Sequence, residues 1–155
     1  MKFLGVLLCL VIAAAPRPVA ASTFDEQCRA AMAPYYASLL TSGRNDADGT
    51  LRHLVVLRGR WATLQQIPAA ERPGWALGVP ELVTSRIEAA RARTVARDIV
   101  GAHAQLESIR SLLRDARARA GIRTFDDALT DYHEAMERLT GRAGLHNEIA
   151  LNADD

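Results

Sequence analysis

Val95 to Ala120 reads VARDIVGAHAQLESIRSLLRDARARA. Within it Val95, Ile99, Ala102, Leu106, Ile109, Leu113, Ala116 and Ala120 follow one another in alternating steps of four and three. Such spacing brings an apolar side chain back to one side of an α-helix at each turn, and it marks a helix packed against a near-antiparallel neighbour. A strand would alternate at every second residue, and this stretch does not. The spacing predicts a long third helix over about residues 81–120, with Gly101 as the place where it bends. Gly121-Ile122-Arg123 closes it.

Downstream, Phe125, Leu129, Tyr132, Met136 and Leu139 repeat the same steps, which predicts a fourth helix over about 124–140 with this seam in the core. Gly141 and Gly144 stop it. Folding the two helices back on each other at Ile122 brings Arg110 level with Glu134, Arg114 near Asp131 and Arg117 near Asp127. The arginines of one helix are then neutralised by the acids of the next.

Upstream, Thr23-Phe24-Asp25-Glu26 has the form of a capping box, in which the Thr hydroxyl and the Glu carboxylate each satisfy an orphan amide. A helix follows to about Thr41, with Pro34 inside it as an expected kink. A second helix spans about 50–66, with Leu54, Leu57, Trp61 and Leu64 on one stripe. Residues 67–80 hold three prolines and two glycines, a composition for a long crossover. No internal repeat stands out. The fold expected is all-α: a single-domain bundle of about four helices over 22–144, with a Pro-rich crossover between helices two and three and a loose tail over 145–155.

The chain opens with Met1-Lys2, an apolar run over 3–15, Pro16-Arg17-Pro18 and the small residues Val19-Ala20-Ala21. This is the pattern of a secretory signal peptide cleaved after Ala21, and the run is shorter than the roughly 20 residues that span a bilayer. A periplasmic or extracellular location is expected, with no integral membrane segment after cleavage. Removing Lys2 and Arg17 with that segment turns the net charge of the 155-residue chain from +1 to −1. So even a balance supplies no field for nucleic acid. Only Cys28 remains in the mature chain, so the fold must stand without an intrachain disulfide.

Few residues suggest chemistry. Asn45-Asp46-Ala47-Asp48-Gly49 has the look of a calcium loop, but aligning Gly49 as the sixth residue puts Arg44 first and Val55 last, and the ligand set collapses. A turn that caps the second helix accounts for the same residues. His133 and Met136 lie one turn apart, a pair soft enough for copper or axial haem ligation, with Met32 on the first helix as a further ligand and His103 as another possible partner. Against this, Met136 belongs to the seam, where it would be core. Cys28 reads as a buried structural thiol, Trp61 as core, and Trp75 as a pin holding the crossover on the bundle. There is no Ser-His-Asp signature, no HExxH and no glycine-rich phosphate loop. The architecture resembles that of small periplasmic helical bundles, a group too varied to name a function. The expected role is a non-enzymatic module, monomeric or homodimeric, binding a protein partner or a small ligand without a cofactor. A copper or haem carrier built on His133, Met136 and Met32 is the alternative.

Overall fold

The computed structural model describes residues 23–142, with side chains as far as Leu139. Among the described residues the structure is all-helical. Five α-helices occur: α1 (Phe24–Gly43), α2 (Ala47–Gln65), α3 (Val79–Val95), α4 (Ile99–Arg119) and α5 (Phe125–Arg142). The capping box at the start of α1 forms as expected, with the Glu26 N–H donating to Thr23 Oγ1 and the Thr23 N–H to Glu26 Oε2. The helix then runs on through Pro34 to Gly43.

α1 to α4 form the bundle. Each packs on its neighbours in sequence, and α1 closes the ring on α4. The interior is filled by Tyr35, Leu54, Leu57, Trp61, Ile87, Leu106, Ile109 and Leu113, all buried. Two ring donors cross between helices: Tyr35 donates its hydroxyl to the Leu106 carbonyl at 3.0 Å and Trp61 its indole N–H to that of Pro80 at 2.9 Å. Each brings its polar atom into the core with a partner, which burial requires.

The expected long third helix is two helices. The chain breaks at Ala96-Arg97-Asp98 rather than bending at Gly101. Arg97 takes a left-handed φ of 61°, the Asp98 N–H reaches back to the Arg93 carbonyl at 2.9 Å, and the Asp98 carboxylate caps α4 by accepting from the Gly101 N–H at 2.9 Å. The cap comes three residues before the glycine, so Gly101 marks the first turn of a helix and not the middle of one. Val95, the first residue of the seam, ends α3 and lies exposed, as does Ala120 at the other end. From Ile99 to Ala116 the seam is core as its spacing requires.

The turn between α1 and α2 is built in the same way. Asn45 has φ 57°, the Asp46 N–H reaches the Thr41 carbonyl at 2.9 Å, and Asp46 caps α2 at the Gly49 N–H at 2.8 Å. The correspondence extends along both hairpins. Counting outward from Asp46 and Asp98, buried positions fall in pairs: Ala31 with Val83, Tyr35 with Ile87, Ser42 with Thr94, Leu54 with Leu106, Leu57 with Ile109, Trp61 with Leu113. The bundle is therefore a structural repeat of one αα-hairpin. Its halves share burial and turn geometry but few side chains, which hides the repeat in the sequence.

The crossover holds two short 3-10 turns, 69–71 and 74–76. Arg72 donates to the carbonyls of Gln65 and Ile67, each at 2.8 Å, and so closes the C-terminal end of α2. Trp75 meets Phe24 edge-on at 5.6 Å between ring centres, and the Arg117 guanidinium lies 5.5 Å over its ring. Trp75 thus pins the crossover to α1 and α4 as its position suggested.

Candidate functional site

α5 stands outside the ring and lies along α4. Gly121, with φ 72°, lets the chain turn back, and Thr124 begins the helix with a reciprocal cap. The Asp127 N–H donates to Thr124 Oγ1 and the Thr124 N–H to Asp127 Oδ2. Local sequence thus starts this helix. Its orientation is set by charge.

The inward side of α5 is polar. Asp127 is only 2% exposed and is gripped by the Arg117 guanidinium. Burial alone would raise the Asp127 pKa, but the bonds from Arg117 and Thr124 outweigh it and hold it below the usual carboxylate range. One turn on, Arg114 spans Asp131 at 3.1 Å and Glu134 at 2.7 Å, while Ser111 donates to Glu134 at 2.9 Å. The Arg114 bond pulls the Glu134 pKa down and raises that of Arg114 in turn. Arg123 reaches Asp131 from the turn at 2.7 Å. The expected partners Arg117–Asp127 and Arg114–Asp131 are therefore present. Arg110 pairs with Glu107 on its own helix instead, and Glu134 goes to Arg114.

Further along, two imidazoles approach one carboxylate. His103 Nε2 lies 3.4 Å from Glu107 Oε1, and His133 Nε2 lies 3.8 Å from Glu107 Oε2 and 3.1 Å from Glu137 Oε1. His103 Nδ1 is 2.8 Å from Ser42 Oγ. Ser42, His103 and Glu107 thus have the composition of a nucleophile relay, but a backbone carbonyl competes for the serine proton. The Ser42 hydroxyl donates to the Leu39 carbonyl at 2.9 Å, so that carbonyl competes with His103 Nδ1 for its one proton. Burial, reinforced by Arg110, lowers the His103 pKa and keeps the ring neutral at neutral pH.

The residues proposed as soft ligands are not drawn together around His133. Met32 lies on α1 against the core, lining a void of about 10 Å³ with Tyr35, Trp61 and Leu113, room for about one water. Met136 is 42% exposed on the outer side of α5. The partners His133 meets are Glu107 and Glu137. Among the described residues no group of three or more His, Cys, Asp or Glu side chains is placed to hold a metal ion. Cys28 is buried, and burial pushes its thiol up to about 11, away from thiolate chemistry.

The outward side of α5 overturns a central expectation. Phe125 (77% exposed), Leu129 (47%), Tyr132 (65%), Met136 and Leu139 (64%) face solvent, not the core. Asp127 and Met136 lie nine residues apart, about two and a half helical turns, and so on opposite sides. The seam identified in the sequence is real, but the described residues leave it exposed rather than buried. α1 and α4 already bury each other, and α4 presents α5 with Arg114 and Arg117, which take the acidic side of the helix. Periodicity located the stripe. Arg114 and Arg117, which hold the acidic side of α5, carry no motif. Their signal was the excess of arginine before Ile122 and of acids after it.

Comparison with protein-family models, with curated proteins and with solved structures finds no match for this chain.

Proposed function

We propose that this chain is an exported, non-enzymatic interaction module that docks through the outer face of α5. The observation that carries the reading is the pairing of two faces on one helix. Asp127, Asp131 and Glu134 are bound to arginines of α4, so the helix is held in place, and its apolar stripe is presented to solvent. Five large apolar side chains on one exposed helix form a contiguous patch of the kind that marks an interaction site on a soluble domain. The signal-like opening of the sequence supports export, and the bond from the Ser42 hydroxyl to the Leu39 carbonyl, which competes with His103 for its proton, supports a role other than catalysis.

A photo-crosslinking residue placed at Tyr132, in the outer stripe, tests this reading in cells that export the protein. A residue at Val56, exposed on α2, serves as the control. Adducts are expected from Tyr132 and not from Val56, and they should vanish when Leu129 and Met136 are both changed to Glu. Equal labelling from the two positions would overturn the reading. The copper or haem carrier remains the competing reading: a Soret band, or copper in stoichiometric amount, in protein purified from the exported fraction would favour it.

A further inference from the structure

We infer that the occupant of the α5 stripe is the α5 helix of a second copy, paired antiparallel about a two-fold axis at Tyr132. This inference rests on the docking surface proposed above and names what covers it.

The stripe has the period of a helix-packing seam. Phe125, Leu129, Tyr132, Met136 and Leu139 keep the four-three steps of a seam that packs into another helix. The stripe is also narrow. Ala128 and Ala135 flank it on one side, and Asp126 and His133 on the other. A lipid surface favours a broad apolar face with basic flanks, and α5 carries Asp126, Asp127, Asp131, Glu134 and Glu137 against Arg138 and Arg142. An anionic bilayer is therefore poorly matched, whereas a helix is well matched.

The stripe is also close to complementary to itself. Two copies of this helix, set antiparallel with Tyr132 meeting Tyr132 of the second copy, put Phe125 level with Leu139 and bring Leu129 to within one residue's rise, about 1.5 Å, of Met136, twice over. The outer layer then joins an aromatic ring to a branched aliphatic side chain, and the inner one joins two aliphatic side chains of similar size. Ala128 comes within one residue's rise of Ala135 on one edge, which lets the backbones approach closely. A parallel pair would instead stack Phe125 on Phe125 and align the two helix dipoles. A two-fold axis needs the same patch on both copies and closes at two, with nothing left over to propagate.

The stripe runs about 21 Å along the helix at 1.5 Å per residue. Burying five such side chains from each copy removes on the order of 1,000 Å², counted over both copies, the lower limit for a specific interface. The dimer is therefore expected to form reversibly, with a Kd on the order of micromolar. The polar side of α5 needs no rearrangement for this, since its bonds to α4 lie on the far side of the helix.

Sedimentation of the full mature chain should show a monomer that dimerises as concentration rises through the micromolar range. Leu129→Glu with Met136→Glu should stay monomeric with an unchanged melting temperature. Cysteine pairing reads the geometry, since Cys28 is buried and does not interfere. Tyr132→Cys is expected to form a disulfide-linked dimer by itself. Phe125→Cys is expected to link with Leu139→Cys in a mixture, but not with itself. A Phe125→Cys chain that links to itself as readily as Tyr132→Cys overturns the antiparallel arrangement. A chain that stays monomeric throughout overturns the second copy, and the Tyr132 photo-adduct then separates two outcomes. An adduct with another protein, or flotation with phosphatidylcholine vesicles, leaves the docking surface standing with a different occupant. The loss of both dimer and adduct overturns the docking surface too. Dimers that appear only after removal of residues 143–155 would identify the C-terminal tail as the occupant and overturn the second copy for the full chain.

Discussion

Arg117 is placed where three parts of the molecule meet. It lies over the Trp75 ring of the crossover, belongs to α4, and holds Asp127 of α5. A buried carboxylate with its guanidinium removed is left as an uncompensated charge, and a guanidinium with its carboxylate neutralised loses its strongest bonds. Asp127→Asn is therefore expected to cost roughly 1–3 kcal/mol in the local stability of α5, read by amide hydrogen exchange. The same contact predicts a response to acid. The folded pKa values of Asp127 and Glu134 lie below their ordinary 3.8 and 4.5. Their stabilisation is thus complete above the ordinary values and is lost as pH falls through the folded ones. Acidification in that window should release α5 before the bundle unfolds. Equal hydrogen exchange of α5 in Asp127→Asn and the parent, at neutral pH, would show that the ion pair does not hold the helix. His103 acts at milder pH and in the same sense. Its pKa is lowered below 6.5, so its contribution is present above that value and declines as pH drops through the folded one.

Among the helices, the same heptad signal has two outcomes. In α4, Ile99 to Ala116 is buried because α1 and α3 cover it. In α5, the equivalent stripe is exposed because α4 engages the opposite side. Single truncations distinguish these cases. Leu113→Ala should cost about 2–5 kcal/mol in chemical denaturation, as removal of a buried side chain does. Leu129→Ala, measured on dilute monomeric protein, should change stability by no more than about 0.5 kcal/mol. A large loss at Leu129 would mean that the stripe is covered within the single chain. The turns carry a second lesson at this scale. Asp46 and Asp98 start α2 and α4 by the same bond, to Gly49 and Gly101, after a residue of positive φ. A cap is a local device and overrides an apolar period that runs past it.

For the whole molecule, export and folding are separate questions with separate measurements. Intact-mass analysis of the exported protein is expected to show a chain beginning at Ser22, or within a residue or two of it. Recovery of the full-length chain from the membrane fraction would rule out cleavage. Among the described residues no helix is long and apolar enough to cross a membrane. Much of this architecture was legible in advance, and for a common reason: helix periods, the Thr23 cap, the Pro-rich crossover and the pairing of Arg117 with Asp127 are consequences of residues close in sequence or of simple antiparallel register. The division of 81–120 into two helices was also present, in Asp98 and Gly101, but the unbroken apolar spacing concealed it. The repeat of the two hairpins was not legible, because packing preserves volume and burial while letting Tyr35 stand where Ile87 does. Local sequence by itself determined that α5 is an amphipathic helix with one apolar and one acidic side. Only the tertiary structure decided which side faces inward. That choice depended on what α4 offered once α1 and α3 had covered its apolar stripe: a row of arginines, whose bonds to the acids of α5 turned the apolar side outward.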